Sequence, residues 1–161
     1  MTHLIATFFY VGHMRPAPGT WGSLAALPVA WAIYIVAGPW GLVAGVFASF
    51  LLGLWATQKE THGKDNHDPS EIVIDEVAGQ WIALLPLAFG AANNDVAMTA
   101  LWPGWIAAFA LFRFFDITKL GPIGWADRMN GAMGVMLDDV IAGVFAAIGV
   151  LVLAGLYHGL M

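Results

Sequence analysis

The chain consists of long apolar stretches separated by short polar ones. Four stretches contain no charged residue, and they run over residues 16–58, 77–94, 96–112 and 140–161. A helix needs about 17–25 mostly apolar residues to cross a bilayer. We therefore predict an all-α integral membrane fold of about five transmembrane helices, at residues 21–37, 41–57, 77–92, 97–115 and 140–157.

Helix-breaking residues interrupt two of these regions. The first uncharged stretch is too long for one helix, and Gly38-Pro39 lies in its middle, so we expect a helical hairpin there. Pro103-Gly104 predicts a late start or a kink in the fourth helix. The apolar segment from Leu4 to Gly12 is too short to span, so we expect it at the membrane interface or re-entering beside the hairpin.

Composition supports a membrane protein. The 161 residues are 60% hydrophobic and 11% charged, whereas soluble domains average about 45–50% apolar and about 25% charged. One membrane-embedded domain over residues 1–161 fits this length. The absence of cysteine excludes disulfides and thiolate metal sites. The net charge of −5 argues against a nucleic acid partner, because such binding needs clustered lysine and arginine.

The charged residues predict the orientation. If the five helices alternate, residues 1–20, 58–76 and 116–139 fall on one side, and all six lysines and arginines lie on or at the edge of it. The positive-inside rule makes this the cytoplasmic side. Every acid except Asp95 lies there as well. Because carboxylates do not follow the orientation rule, their clustering needs another cause.

The first polar stretch on that side precedes an apolar helix. Thr20 or Ser23 can cap this helix, whose free N–H groups and dipole favour an anion such as phosphate. Gly19 and Gly22 allow the backbone to turn tightly. An ordinary N-cap, with small residues for packing, explains the same pattern.

The second polar stretch ends at Asp75 and Glu76. Pro69 fits the opening of a helix that places Glu71 and Asp75 on one face. Acids near a helix N-terminus are common because the dipole favours them, which explains Asp68 and Glu71. Asp75 and Glu76 instead enter an apolar span, where ionised side chains are costly and usually functional.

The third polar stretch begins with Arg113, Asp116 and Lys119, whose spacing places them on one helical face. A salt-bridge ladder explains that spacing without any function. Farther on, Asp138 and Asp139 open the last span, and adjacent carboxylates repel each other unless a cation or a proton intervenes. Beside two other acidic clusters at a membrane boundary, we interpret this pair as functional.

Together, the three stretches predict metal-assisted phosphate chemistry at a membrane surface. Mg²⁺ fits best, because it is typically held by a few carboxylates, waters and substrate phosphate. Two such ions can clamp the attacking and leaving oxygens of a phosphoryl transfer, with Lys119, Arg128 or Arg113 on the other oxygens. The sequence lacks H-E-x-x-H, the D-x-D motif of haloacid-dehalogenase-type phosphatases and the S-G-H signature of histidine-dependent lipid phosphatases.

The same stretches resemble the phosphatidylglycerophosphatase A family, in order and over nearly the whole chain. The matching segments are PGTWGSLAALP, HDPSEIVIDEVAGQW and FRFFDITKLGPIGWADR, followed by GAMGVMLDDVIAG. Each motif is weak alone, but their combination with the hydropathy pattern is specific. The resemblance implies an Mg²⁺-dependent enzyme of the bacterial inner membrane. Such an enzyme hydrolyses phosphatidylglycerophosphate to phosphatidylglycerol and phosphate, here on the cytoplasmic face.

The resemblance also implies site residues. The family's polar pattern falls on Gly19, Thr20, Gly22, Ser23, Asp68, Asp75, Glu76, Arg113, Asp116, Lys119, Asp127, Arg128, Asp138 and Asp139. The chain departs from the family at residues 120–122, where Leu-Gly-Pro replaces Pro, an aromatic residue and Pro, and at Gly124, where a basic residue is common. The loop before Gly131 is also one residue shorter. These departures affect loop geometry and a headgroup contact rather than the acidic cluster.

Our mechanistic hypothesis assigns these residues three roles. One or two Mg²⁺ ions are expected on Asp75, Glu76, Asp116, Asp138 and Asp139. The expected catalytic residues are Asp75, Asp116, Asp127 and Asp138, with a metal-bound water as nucleophile and Asp127 assisting proton removal. Substrate phosphate is expected on Gly19, Thr20, Gly22, Ser23, Arg113, Lys119 and Arg128. An aspartate nucleophile that forms an aspartyl-phosphate stays open as an alternative.

A small ion- or proton-coupled transporter is the alternative function, because acids in membrane spans also mark translocation pathways. A carrier needs ionisable groups near mid-span, whereas these acids lie at one boundary. Small residues such as Gly45, Ala48 and Gly53 can pack helices within or between chains, so the oligomeric state stays open.

Overall fold

The computed structural model describes residues 1–63 and 69–159. Within those ranges the chain is helical and contains no β-strand, which confirms the all-α prediction. The helices are α1 (Thr2–Ala6), α2 (Pro18–Thr61), α3 (Ile74–Asn93), α4 (Trp102–Thr118), α5 (Pro122–Asp127) and α6 (Ala132–Gly159). Short 3₁₀ turns lie at Val11–His13 and Met98–Leu101.

The predicted spans all fall on helical segments. Among the described residues, three segments are long and apolar enough to cross a membrane: Pro18–Thr61, Met98–Thr118 and Ala132–Tyr157. Their outer surfaces expose large apolar side chains, including Ile35, Val36 and Leu151. α3 is less apolar, carries Asp75 and Glu76 in its first turn, and is mostly buried among its neighbours.

The long helix α2 folds back on itself at Gly38, where φ is 66° and ψ is −167°. In a straight helix Ile33 and Gly45 would lie about 18 Å apart. Here a Cβ placed on Gly45 would lie 3.4 Å from Ile33 Cδ1, so the two arms run side by side. The far ends of both arms reach the start of α3, because Gly22 packs on Val73 and Gly53 on Ile74. The predicted helical hairpin is confirmed.

Helix α3 lies at the centre of the bundle, in contact with α2, α4 and α6. Trp81 Nε1 donates a hydrogen bond to the carbonyl of Ala26 (2.9 Å), which ties α3 to the first arm of α2. Because Gly79 has no side chain, the Phe112 ring of α4 packs directly against the backbone of α3. Gly143 of α6 also lies directly against the Gly79 backbone. Small residues therefore allow these helices to approach closely.

The N-terminal segment packs beside the hairpin. Thr2 Oγ1 donates to Glu60 Oε1 (2.6 Å), near the end of α2. The N–H of Val73 donates to the carbonyl of Ala6 (2.9 Å), so α1 also contacts the segment that precedes α3. The stretch from Leu4 to Gly12 thus lies next to one end of the bundle, and its depth in a membrane stays a prediction.

Replacing Gly38 with alanine should lower the free energy of unfolding by about 1–3 kcal/mol, because only glycine readily adopts this combination of φ and ψ. The added methyl group would meet no described atom within 4 Å, so the loss reports backbone strain rather than a clash. Gly90→Ala is the matched control, because Gly90 lies inside α3 with equally open surroundings and should be neutral or stabilising. Denaturant unfolding in detergent measures both, and equal losses would contradict the hairpin.

Candidate active site

A cavity of about 280 Å³ opens where one end of several helices meets. Its walls come from the start of α2, the segment before α3, the first turn of α3, the end of α4 and the second turn of α6. The lining residues relevant to chemistry are Gly19, Ser70, Asp75, Glu76, Arg113, Asp116, Lys119, Asp138 and Asp139. The fold therefore brings most of the predicted acids and two predicted bases together.

Asp75, Glu76 and Asp139 form a compact carboxylate cluster. Each offers one oxygen, and these oxygens lie within 4.8 Å of one another. Asp75 and Asp139 are 8% and 2% exposed, so solvent screens them little. No hydrogen-bond donor among the described residues reaches Glu76 Oε2 or Asp139 Oδ1, and both atoms are buried. Buried acceptors that face one another in this way are stabilised by a cation.

Helix packing positions the cluster. Asp75 and Glu76 occupy the first turn of α3, where the helix dipole favours acids. Asp139 comes from α6, and the close contact between Gly79 and Gly143 brings α6 against α3. Asp138 and Asp139 lie inside α6, which begins several residues before the predicted span.

α3 begins at Ile74, so the predicted helix start at Pro69 is wrong. The N–H of Val73 donates to the carbonyl of the last residue of α1, which holds this segment in a non-helical conformation. Glu71 therefore does not share a helical face with Asp75.

Of the described residues, Arg113 is one of two cations that line the cavity. Its guanidinium forms an ion pair with Asp116, one turn further along α4, and its Nη1 lies 3.5 Å from Ser23 Oγ. Gly19 makes room for this arrangement, because a Cβ there would fall on the Glu76 carboxylate and 3.2 Å from Arg113 Nη1. Because Gly19 has no side chain, the Glu76 carboxylate and the Arg113 guanidinium can both lie next to its backbone.

Lys119 is the other cation. It follows the last residue of α4 as a cap with φ 48°, so the prediction that it continues the helical face of Arg113 and Asp116 is wrong. Its Nζ donates to Asp127 and to Asp138 Oδ2 (3.0 Å for the latter). Burial opposes the charged form, but these hydrogen bonds raise the pKa of Lys119 above its ordinary value. Lys119 is therefore protonated at neutral pH.

The first predicted stretch contributes less than expected. Thr20 and Ser23 are helical residues of α2, so neither caps it, and that prediction is wrong. The buried Ser23 hydroxyl donates to the carbonyl of Gly19 (2.9 Å). Gly22 packs against the Val73 side chain. Of this stretch, Gly19 lines the cavity, while Thr20, Gly22 and Ser23 do not.

Asp127 and Arg128, at the end of α5, also lie outside the lining. Asp127 contacts the site only through its ion pair with Lys119, and Arg128 is exposed. Asp68, which belongs to the family's polar pattern, lies outside the described residues.

The structure adds two residues that the sequence did not single out. Ser70 lines the cavity, and Arg15 Nη1 donates to Ser70 Oγ (3.1 Å). Arg15 is the last charged residue before the first apolar stretch, and this position at a membrane boundary was the available signal. Ser70 offered no comparable signal.

The charges of the cavity determine what it can bind. In the part of the chain that the structure describes, five carboxylates and two cations line it, and both cations are paired with carboxylates. The ligands available to a metal are oxygens, which suit a hard divalent cation. Arginine and lysine suit phosphate oxygens. The geometry therefore fits a phosphate group bound beside a divalent cation.

Comparison with known proteins agrees with this chemistry. The family profile described as phosphatidylglycerophosphatase A matches residues 4–154. A phosphatidylglycerophosphatase A of Haemophilus influenzae is 38% identical over 147 residues, which cover 91% of this chain and 84% of the relative. That of Escherichia coli is 38% identical over 156 residues, covering 95% and 83%. A Bacteroides thetaiotaomicron protein, provisionally named a phosphatidylinositol-3-phosphatase, is 39% identical over 150 residues, covering 90% and 88%. No solved structure matches the chain.

Neutralising Asp139 should stabilise the protein in a buffer that contains a chelator. Asp139→Asn removes one of three crowded carboxylates, and we expect the free energy of unfolding to rise by about 1–2 kcal/mol. Asp127→Asn is the control, because it removes an exposed partner of Lys119 and should give no gain. Thermal unfolding in detergent measures both variants. Equal stability of Asp139→Asn and wild type would show that the cluster is not under repulsion.

Proposed function

The chain belongs to the phosphatidylglycerophosphatase A family, and we propose that it hydrolyses the terminal phosphomonoester of phosphatidylglycerophosphate to phosphatidylglycerol and phosphate. The observation that carries this proposal is the cavity where the carboxylates of Asp75, Glu76 and Asp139 lie beside Arg113 and Lys119. A phosphatase of this kind needs positive charge for the phosphoryl oxygens and a group that accepts a proton from water.

We propose Mg²⁺ as the cofactor, held by Asp75, Glu76 and Asp139. The support comes from the buried oxygens Glu76 Oε2 and Asp139 Oδ1, which no donor among the described residues reaches. Asp116 and Asp138 line the same cavity, but they form ion pairs with Arg113 and Lys119. They are therefore weaker candidates for metal ligands than the sequence suggested. When bound, the ion supplies Lewis-acid chemistry, which withdraws charge from the phosphoryl group and favours ionisation of water.

The protein's own residues bind and orient the phosphate. Arg113 and Lys119 contact its non-bridging oxygens, where charge develops as the ester bond breaks. Asp116 holds Arg113, and Asp127 holds Lys119, so each guanidinium or ammonium group is oriented before substrate arrives. This arrangement gives Asp127 a positioning role.

Asp138 is our candidate for the proton acceptor. The sequence suggested Asp127, but Asp127 does not line the cavity, whereas Asp138 does. One Asp138 oxygen is held by Lys119 Nζ, which fixes the direction of the carboxylate. A fixed carboxylate within reach of the attacking water suits general-base catalysis.

We further propose that both arms of α2, together with α3, α4 and α6, cross the bacterial inner membrane. The cavity then lies at the cytoplasmic boundary, because all lysines and arginines fall on or at the edge of that side. The apolar helices keep the acyl chains of the substrate in the bilayer while the phosphates meet the cavity. A transporter is disfavoured, because the lining acids and bases gather at one end of the helices rather than at mid-span.

Removal of divalent cations should abolish phosphate release, and added Mg²⁺ should restore it. Asp75→Asn and Glu76→Gln should each lower kcat/KM by about 100-fold or more, because each removes a charged oxygen at the centre of the site. Asp95→Asn is the control, since Asp95 is an exposed acid in the turn after α3, at the opposite end of that helix. Full activity in chelator, or in either site variant, would rule out this metal assignment.

The relative with a provisional phosphatidylinositol-3-phosphatase name provides a second candidate substrate. Phosphate release from phosphatidylglycerophosphate and from phosphatidylinositol 3-phosphate, in the same mixed micelles, distinguishes the two. We expect kcat/KM to be at least about tenfold higher for phosphatidylglycerophosphate, a preference equal to about 1.4 kcal/mol. The opposite preference would assign the chain to the inositol lipid, and absence of release from both would refute the phosphatase proposal.

A further inference from the structure

Arg15 lies beside the cavity, in contact with one of its lining residues. Its Nη1 donates to Ser70 Oγ (3.1 Å), and Ser70 is a lining residue. Ala17 and Pro18, which follow Arg15 closely in the chain, also line the cavity. Arg15 and Ser70 are both exposed, so the guanidinium group is open to a ligand that enters from outside.

Arg15 differs from the two cations inside the cavity. Arg113 is paired with Asp116, and Lys119 with Asp127 and Asp138. Within residues 1–63 and 69–159, no carboxylate forms an ion pair with Arg15. Its contact with the Ser70 hydroxyl fixes the group without neutralising it. Among the described residues, the charge of Arg15 is therefore left for an anion.

The proposed substrate carries two different phosphates. The terminal phosphomonoester is the group to be cleaved, and a phosphodiester joins the headgroup to the diacylglycerol. When the monoester lies beside Arg113 and Lys119, the headgroup glycerol keeps the diester farther from these two cations, so the diester needs a separate contact at the edge of the cavity. The lining carboxylates outnumber the lining cations, so they repel this second anion unless another cation faces it.

We propose that Arg15, held by Ser70, binds the phosphodiester of the substrate and is a specificity-determining residue. Arginine suits this role, because its planar guanidinium group can bond one anion while a second N–H keeps the contact with Ser70. The residue selects lipids in which a phosphodiester lies between the acyl chains and the terminal monoester. The inference rests on the proposed function for the identity of the substrate, and on the contacts of Arg15 for its position.

The first experiment compares steady-state kinetics of wild type, Arg15→Gln and Arg15→Lys. We expect Arg15→Gln to raise KM for phosphatidylglycerophosphate about tenfold, as for loss of a charge-assisted hydrogen bond, with kcat changed less than about twofold. Arg15→Lys should recover part of the loss. Lys59→Gln is the matched control, because it removes an exposed charge outside the cavity lining and reports general attraction to anionic micelles. Equal effects of Arg15→Gln and Lys59→Gln would overturn the inference.

The second experiment does not depend on turnover. Dihexanoyl phosphatidylglycerol keeps the phosphodiester and lacks the monoester, whereas inorganic phosphate resembles the monoester alone. Arg15→Gln should weaken equilibrium binding of the lipid about tenfold and leave that of phosphate unchanged. If wild type releases no phosphate but binds the lipid through Arg15, the proposed function fails and the inference stands. Equal lipid affinity of wild type and Arg15→Gln overturns the inference whether or not the enzyme is active.

Discussion

The site depends on holding several carboxylates close together in surroundings with little water. Oxygens of Asp75, Glu76 and Asp139 lie within 4.8 Å of one another, and burial strengthens their repulsion because the effective dielectric falls. Two of these acids belong to α3 and one to α6, so the repulsion acts to separate the two helices. The contact between Gly79 and Gly143 opposes it, because backbones that touch without intervening side chains gain dispersion energy along the whole crossing. Close helix packing is therefore a condition for the acidic cluster rather than a separate property of the fold.

The same constraint explains how the cations are arranged. Burial of an isolated charge is costly, so a base inside the cavity needs a partner from the protein. Arg113 has Asp116, and Lys119 bridges α5 and α6 through Asp127 and Asp138. These ion pairs orient the two bases but neutralise much of their positive charge. A doubly charged phosphate entering this cavity then needs additional positive charge, and that requirement, more than any single ligand, supports the proposal of a divalent cation.

The sequence predicted the features that arise from hydropathy, and it failed where a distant contact decides the local structure. Apolar length located the long helices, Gly38 marked the turn of the hairpin, and most of the predicted acids lie together in one cavity at one end of the helices. The predicted start of α3 was wrong because helix-start signals are short and degenerate. The hydrogen bond from the N–H of Val73 to the N-terminal segment overrides the helix-start signal at Pro69. Lys119 was misplaced because periodicity cannot detect a residue in the left-handed conformation at a helix end. Arg15 was overlooked because its position before an apolar stretch does not reveal the tertiary contact with Ser70, which connects it to the cavity.

The segregation of charge along the helices also bears on how a lipid can be processed. A phosphorylated headgroup cannot enter the hydrocarbon interior without losing its hydration, so an enzyme that acts on it without extracting the lipid must place its charges at the boundary. The lining acids and bases come from the start of α3, the end of α4 and the second turn of α6, and these helix ends meet at one cavity. A translocation pathway instead needs polar groups that continue through the bundle. Close packing of Gly79 on Gly143 instead leaves no side chain between α3 and α6 one turn beyond Glu76, so the contact that concentrates the carboxylates also leaves no room for a polar group between the two helices there.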